Sequence, residues 1–139
     1  VLILVPALVL VLLVLGAIAV DSSIAFMGRR QLADFTASAA DRAAASALDK
    51  PAFYGAGTVR IDPAIAARVV ADAESVARRD GLDVSGVTVT VAPSGQSVTV
   101  TASAVVRTVF GASVGGRSSF TVRATTTADI TEVGARQPA

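Results

Sequence analysis

Two apolar patterns divide this chain. Positions 1–20 hold no charged residue and include the unbroken run Leu8-Val9-Leu10-Val11-Leu12-Leu13-Val14-Leu15. A helix rises about 1.5 Å per residue, so about 20 such residues cross a hydrocarbon core of about 30 Å. Pro6 falls near one end, where a helix tolerates it. After Asp21 the pattern becomes one-sided. Ile24, Met27, Leu32, Phe35 and Ala39 recur every three to five residues and form a stripe, with Arg30, Asp34 and Asp41 opposite. Arg42 returns toward the apolar side, so the clean stripe is expected to end there, and the small side chains of 37–47 can lie close to the chain's own domain, the favoured reading, or to another helix. The helix is expected to continue to about Asp49 and to stop at Lys50-Pro51, because a residue before Pro disfavours helical geometry.

Positions 51–61, with Pro51, Gly55 and Gly57, read as a loop. Asp62-Pro63 predicts a second helix, a capping carboxylate followed by Pro at the first helical position. Its expected inner face is Ile65, Val69, Val70, Ala73 and Val76 or Ala77, and its expected stop is Gly81. The period then falls to two. Val87, Val89 and Val91 alternate with Thr. Val98 and Val100 open a strand expected to run on toward Phe110. Phe120, Val122 and Ala124 begin a third that reaches Ile130. Pro93-Ser94-Gly95-Gln96 and residues 111–116 are the connections. Phe110 and Val114, at the second connection, either tuck onto the core or stand out as an apolar tip.

The expected architecture is α+β. A long N-terminal transmembrane and stalk helix precedes a small, pseudopilin-like head of one helix packed on a three-stranded antiparallel meander. Residues 1–20 are the span, 21–50 the stalk, 51–133 the head and 134–139 a frayed tail. A cleaved secretory peptide is the rival for the first segment, since Ala17-Ile18-Ala19 fits a small-x-small site. The apolar run is longer than the usual about 7–15 residues of such a peptide, and helix continues beyond it, which favours a retained anchor. The chain opens with Val, so Val1 is either a processed end or an internal point of a longer sequence. The pair Arg29-Arg30 alone does not set the orientation of the span.

Charge and composition remove function classes. Lys and Arg number 12 against 11 Asp and Glu, a net charge of +1, and aromatic residues are 4% of the chain. Nucleic-acid binding calls for clustered cations and stacking rings, and neither pattern is present. With no Cys there is no disulfide, and with no His there is no Ser-His-Asp triad and no usual zinc ligand. The single Lys50 sits at an expected helix end. Asp80 with Asp83, and Asp129 with Glu132, read as surface carboxylates rather than a cleft pair. Gly111, Gly115 and Gly116 lack phosphate-loop spacing. The expectation is a non-enzymatic protein without metal or cofactor.

Four stretches carry a family resemblance. They are the apolar run with Pro6; Gly16-Ala17-Ile18-Ala19-Val20-Asp21; Arg29-Arg30-Gln31-Leu32; and Ala39-Ala40-Asp41-Arg42-Ala43-Ala44. Together they resemble the TadE/TadG-like proteins of bacterial Tad (Flp) pilus-assembly systems, and the Val-Thr repeats and the apolar loop near Phe110 are similar as well. Arg42 stands where that family commonly has Ala. The resemblance implies a minor pilin-like or pseudopilin-like component anchored in the cytoplasmic membrane by one span, head outside, or incorporated in a surface pilus. Its implied partners are membrane lipid and other pilin-like proteins, met through the N-terminal helix, or further copies of itself. Ile24, Met27, Leu32, Phe35 and Ala39 are the expected assembly face, where a charge at Leu32 or Phe35 would break assembly and leave the head folded. The alternative is a secreted or anchored extracellular binding or adhesion module unrelated to pili.

Overall fold

Between Pro6 and Ser46 nothing in the chain breaks a helix except two glycines, and both are tolerated. The computed structural model describes residues 3–48, 55, 59–113 and 116–130. The first helix, α1, is one unbroken rod, Leu4–Ser46, 43 residues long, or about 65 Å at the standard rise. Pro6 lies in its first turn, where the missing N–H had no partner to lose. The second helix, α2, spans Pro63–Arg79, and its Asp62 carboxylate accepts the Ala64 and Ile65 N–H groups at 2.8 and 3.3 Å. Gly81, at φ +90°, ends it in the left-handed region that only glycine enters freely.

Three strands follow, β1 (Val84–Val91), β2 (Ser97–Arg107) and β3 (Ser119–Asp129), in antiparallel order β1-β2-β3. The α+β class with a long N-terminal helix and a three-stranded meander is therefore present. On β2 the even-numbered residues Val98, Val100, Ala102, Ala104 and Val106 are all buried. On β1 the inward set changes parity, from Val84 to Val87, Val89 and Val91. A bulge between Ser85 and Thr88 absorbs the extra residue, with Gly86 at φ +63°. The opposite face of the sheet is open. There Thr99 pairs with Thr127 and Thr101 with Thr125, hydroxyl to hydroxyl, at 2.8 and 3.1 Å.

The packing of helix on sheet differs from the expected arrangement. The C-terminal half of α1 is the main cover of β2 and β3, while α2 lies against α1 and β1. The alanines of the stalk segment thus share the head's core, the own-domain packing favoured for 37–47, and Leu32 and Phe35 join them there. One cluster joins Ala39, Ala40, Ala43 and Ala47 of α1 to Ala66, Val70, Val98 and Val100. The other joins Leu32 to Val84, Ala102, Ala104, Val106 and Val122, and Phe35 packs against both. The buried stripe also runs past Arg42 to Ala43 and Ala47, because Arg42 sits exposed beside it. Thr36, fully buried, donates its single hydroxyl proton to Ala33 O and accepts from the Thr126 hydroxyl on β3, each at 3.0 Å.

Other boundaries move for local reasons. α1 stops at Ser46, before the Lys50-Pro51 signal, which lies outside the described residues. Ala47 O accepts the Asp62 N–H, and Leu48 bridges to Ile61. The inner face of α2 is Ala66, Val69, Val70, Ala73 and Ala77. Ile65 and Val76 are exposed instead, since small Ala66 is what fits against the Ala-rich wall of α1. β2 ends at Arg107 rather than Phe110 because Thr108 turns the chain, its Oγ1 donating to Arg117 O at 2.8 Å. Most of the loop expected at 51–61, and the tail at 134–139, lie outside the described residues.

At Gly28 the helix lies tightly against the sheet. A Cβ there would stand 2.5 Å from Val106 Cγ2, and Val106 cannot rotate away cheaply because its χ1 is stiff. Gly28→Leu is therefore expected to destabilise the head by about 1–3 kcal/mol, the usual cost of overpacking. Gly16→Leu, with nothing within 4 Å of the added Cβ, is expected to shift it by less than about 0.5 kcal/mol. Denaturant titration of both full-length variants in detergent checks the difference.

Candidate functional site: the apolar helix and its exit collar

The first half of α1 has no protein cover. Its most hydrophobic 18-residue window is 0% buried, and Leu8, Leu10, Leu12, Leu13 and Leu15 all stand open. An isolated apolar helix of this kind cannot be the core of a globular domain, which would enclose it. It is long and apolar enough to cross a membrane. At its end the polar groups are satisfied locally. Ser22 Oγ donates to Ile18 O at 2.8 Å and Ser23 Oγ to Ala19 O at 2.9 Å, so neither hydroxyl depends on water.

Asp21 marks the exit. It lies on the same helix face as Ile24, Gly28 and Leu32, at spacings of three, seven and eleven, and so points along the sheet side. Its Oδ1 accepts the N–H groups of Val109 and Phe110, at 2.9 and 3.2 Å, from the turn that joins β2 to β3. The carboxylate thereby holds the tip of a hairpin to the end of the apolar run. The turn is braced internally by Thr108 N–H to Ser118 O, Ser113 N–H to Phe110 O and Gly116 N–H to Gly111 O. Val109 is 60% exposed and Phe110 40%. Of the two outcomes left open for this connection, the tip stands out at Val109 and Phe110. Val114 lies outside the described residues.

The expected assembly stripe splits. Leu32 and Ala39 are enclosed by the chain's own sheet, Ile24 and Phe35 are half-buried in the same core, and Met27 alone is open, at 61%. A charge at Leu32 would thus be read first as unfolding of the head, which corrects the expectation that the head would stay folded. The surface of α1 left free beyond Asp21 includes Phe26, Met27, Arg29, Arg30 and Asp34, with Arg30 and Asp34 at the 4.0 Å edge of ion pairing and well exposed. Such a pair contributes little. A shallow open depression of about 450 Å³ lies beside Ile24, Met27, Leu82, Asp83, Val106 and Arg107. Asp80, Asp83 and Asp129 are exposed, and among the described residues no three acidic side chains converge. Lys50 and Glu132 lie outside the described residues.

Sequence reasoning singled out neither the role of Asp21 nor that of Gly28. The signals were there as a Val-Asp exit and a lone glycine in a helix, but the partner of each is about 80 residues or more away along the chain. No protein-family model matches the chain, and no curated protein or solved structure matches it either.

Removing the acceptor at Asp21 leaves two N–H groups without their partner. Hydrogen bonds in so exposed a place contribute about 1 kcal/mol together, so Asp21→Ala is expected to speed amide exchange at Val109 and Phe110 about fivefold. The Val105 amide, held by Asp83 O, is expected to keep its rate. Residue-resolved hydrogen exchange of the full chain in micelles reads both.

Proposed function

We propose that the chain is a structural component of a pilus-type assembly apparatus, minor pilin-like, held in the cytoplasmic membrane by residues 1–20 with its head on the outer side. The observation that carries the membrane part is the bare, wholly apolar half of α1, continuous with a second half locked into the head. The small-x-small sequence Ala17-Ile18-Ala19 lies in mid-helix, with regular helix on both sides. That favours retention, since proteolysis needs an extended segment. The pilus part draws on the TadE/TadG-like resemblance in the exit sequence, the Arg29-Arg30 pair and the Ala-rich stretch. No catalytic constellation is needed for this role. The partners are lipid around the span and neighbouring pilin-like helices, which replace lipid by packing against the same apolar surface.

Two measurements test the reading. The intact mass of C-terminally tagged protein from the native host's membranes is expected to include positions 1–20. A mass starting at Val20 would remove the span and give the secreted binding module the lead. In a pilus-forming host, Phe26→Asp with Met27→Asp is expected to lower filament number about tenfold, corresponding to about 1–2 kcal/mol of helix–helix contact, with thermal unfolding of the head unchanged. Leu32→Asp is the contrast. It buries an unpaired carboxylate at several kcal/mol and unfolds the head. Normal filament numbers in the Phe26/Met27 double variant would overturn the assembly role of this surface.

A further inference from the structure

The Val109–Phe110 tip has a place in the fold that its sequence does not announce. Asp21 ends the apolar run, and both tip amides bond to its carboxylate. The tip is therefore level with the point at which α1 leaves its apolar segment. Two large apolar side chains stand open there, at 60% and 40% exposure, on a turn stiffened by its own hydrogen bonds. Gly111 permits the close approach within the turn, since a Cβ there would collide with Arg117 O and Thr108 Oγ1. Exposed Arg107 and Arg117 flank the turn. An apolar pair rimmed by cations, beside the end of a span, matches the interfacial layer of a bilayer, where aromatic rings and basic side chains both find partners. Asp21 fits the same layer because two N–H donors offset its charge.

We propose that Val109 and Phe110 form a second membrane contact, seated in the interface of the bilayer that holds α1. The inference rests on the reading of residues 1–20 as a membrane span. Two contacts about one helix diameter apart hold a head at a defined tilt, where one span alone leaves it free to swing about the exit. The occupant is lipid, because the tip is continuous with the apolar surface of α1 and lies at its boundary.

The chain has no Trp, so Phe110→Trp in the full-length protein supplies a single reporter. The probe is a vesicle of equal phosphatidylcholine and phosphatidylglycerol, with bromine on the acyl chains either near the headgroup or near the methyl end. Emission is expected to shift to the blue, and shallow bromine is expected to quench about twofold more than deep bromine. Leu12→Trp is the reference. It lies nine residues inside Asp21, about 13 Å deeper and near the bilayer middle, and is expected to show the reverse order. Val109→Trp repeats the reading should the ring at position 110 disturb the turn. Adding Asp21→Ala to Phe110→Trp is expected to halve the shallow quenching, because both tip amides lose the acceptor that holds them beside α1. If Leu12→Trp is quenched and both tip reporters are not, the span stands and the tip contact is overturned. A blue shift without bromine quenching means protein covers the tip, and that too overturns it. If no reporter is quenched, the span reading fails and the tip contact with it.

Discussion

Everything in the head depends on how closely α1 lies on the sheet, and that distance is set by matching sizes along one seam. Gly28 passes over Val106, Leu32 shares its cluster with Ala102 and Ala104, and the alanines 39, 40 and 43 share theirs with Val98 and Val100. Where the helix is small the sheet is large, and the reverse holds in the middle. Small side chains on one element thus meet larger ones on the other along about four turns of the seam, which lets helix and sheet pack closely. A helix lifted at Gly28 would lose contact at Leu32, whose burial contributes about 2 kcal/mol. The same lift would carry Asp21 away from the amides of Val109 and Phe110. The seam thus positions the exit of the apolar segment as well as the core.

One helix here faces two surroundings. Upstream of Asp21 its apolar residues surround the whole circumference. Downstream they narrow to a face that meets the sheet, with Phe26, Met27, Arg29 and Arg30 outside it. The helix does not break at the change. Ser22 and Ser23 bond back to the carbonyls one turn earlier, so the transition from apolar to polar costs no unpaired hydroxyl. Because the rod is continuous, a displacement of the apolar half is a displacement of the head, without a hinge between them.

Periodicity made most of the fold legible. Asp62-Pro63 and Gly81 bounded the second helix correctly, because caps act within four residues of where they are written. The alternation of Val and Thr gave all three strands, because each has one wet face. What the pattern hid was partnership. The stripe Ile24, Leu32, Phe35 and Ala39 announces a buried face without saying what buries it, and the answer was the chain's own sheet rather than a neighbouring helix. Ile65 looked like core by hydropathy, yet the Ala-rich wall of α1 takes Ala66 instead, and of the pair Val76 or Ala77 it is Ala77 that packs, beside Leu32 and Val84. The collar at Asp21 was illegible for a plainer reason: its two hydrogen bonds join positions 88 and 89 apart in sequence.

The split of the stripe also limits where a partner helix can bind. Past Arg30 the surface of α1 that the sheet leaves free carries Asp34, Asp41 and Arg42, all exposed, and a second helix laid there would have to desolvate them. Before Asp21 every direction is apolar and small-to-medium in size, with Gly16, Ala17 and Ala19 allowing close approach. Phe26 and Met27 are the last large apolar side chains before the charges begin on that side. A partner helix would therefore find its apolar contact with this chain along the segment before Asp21, with contact thinning out about two turns beyond it.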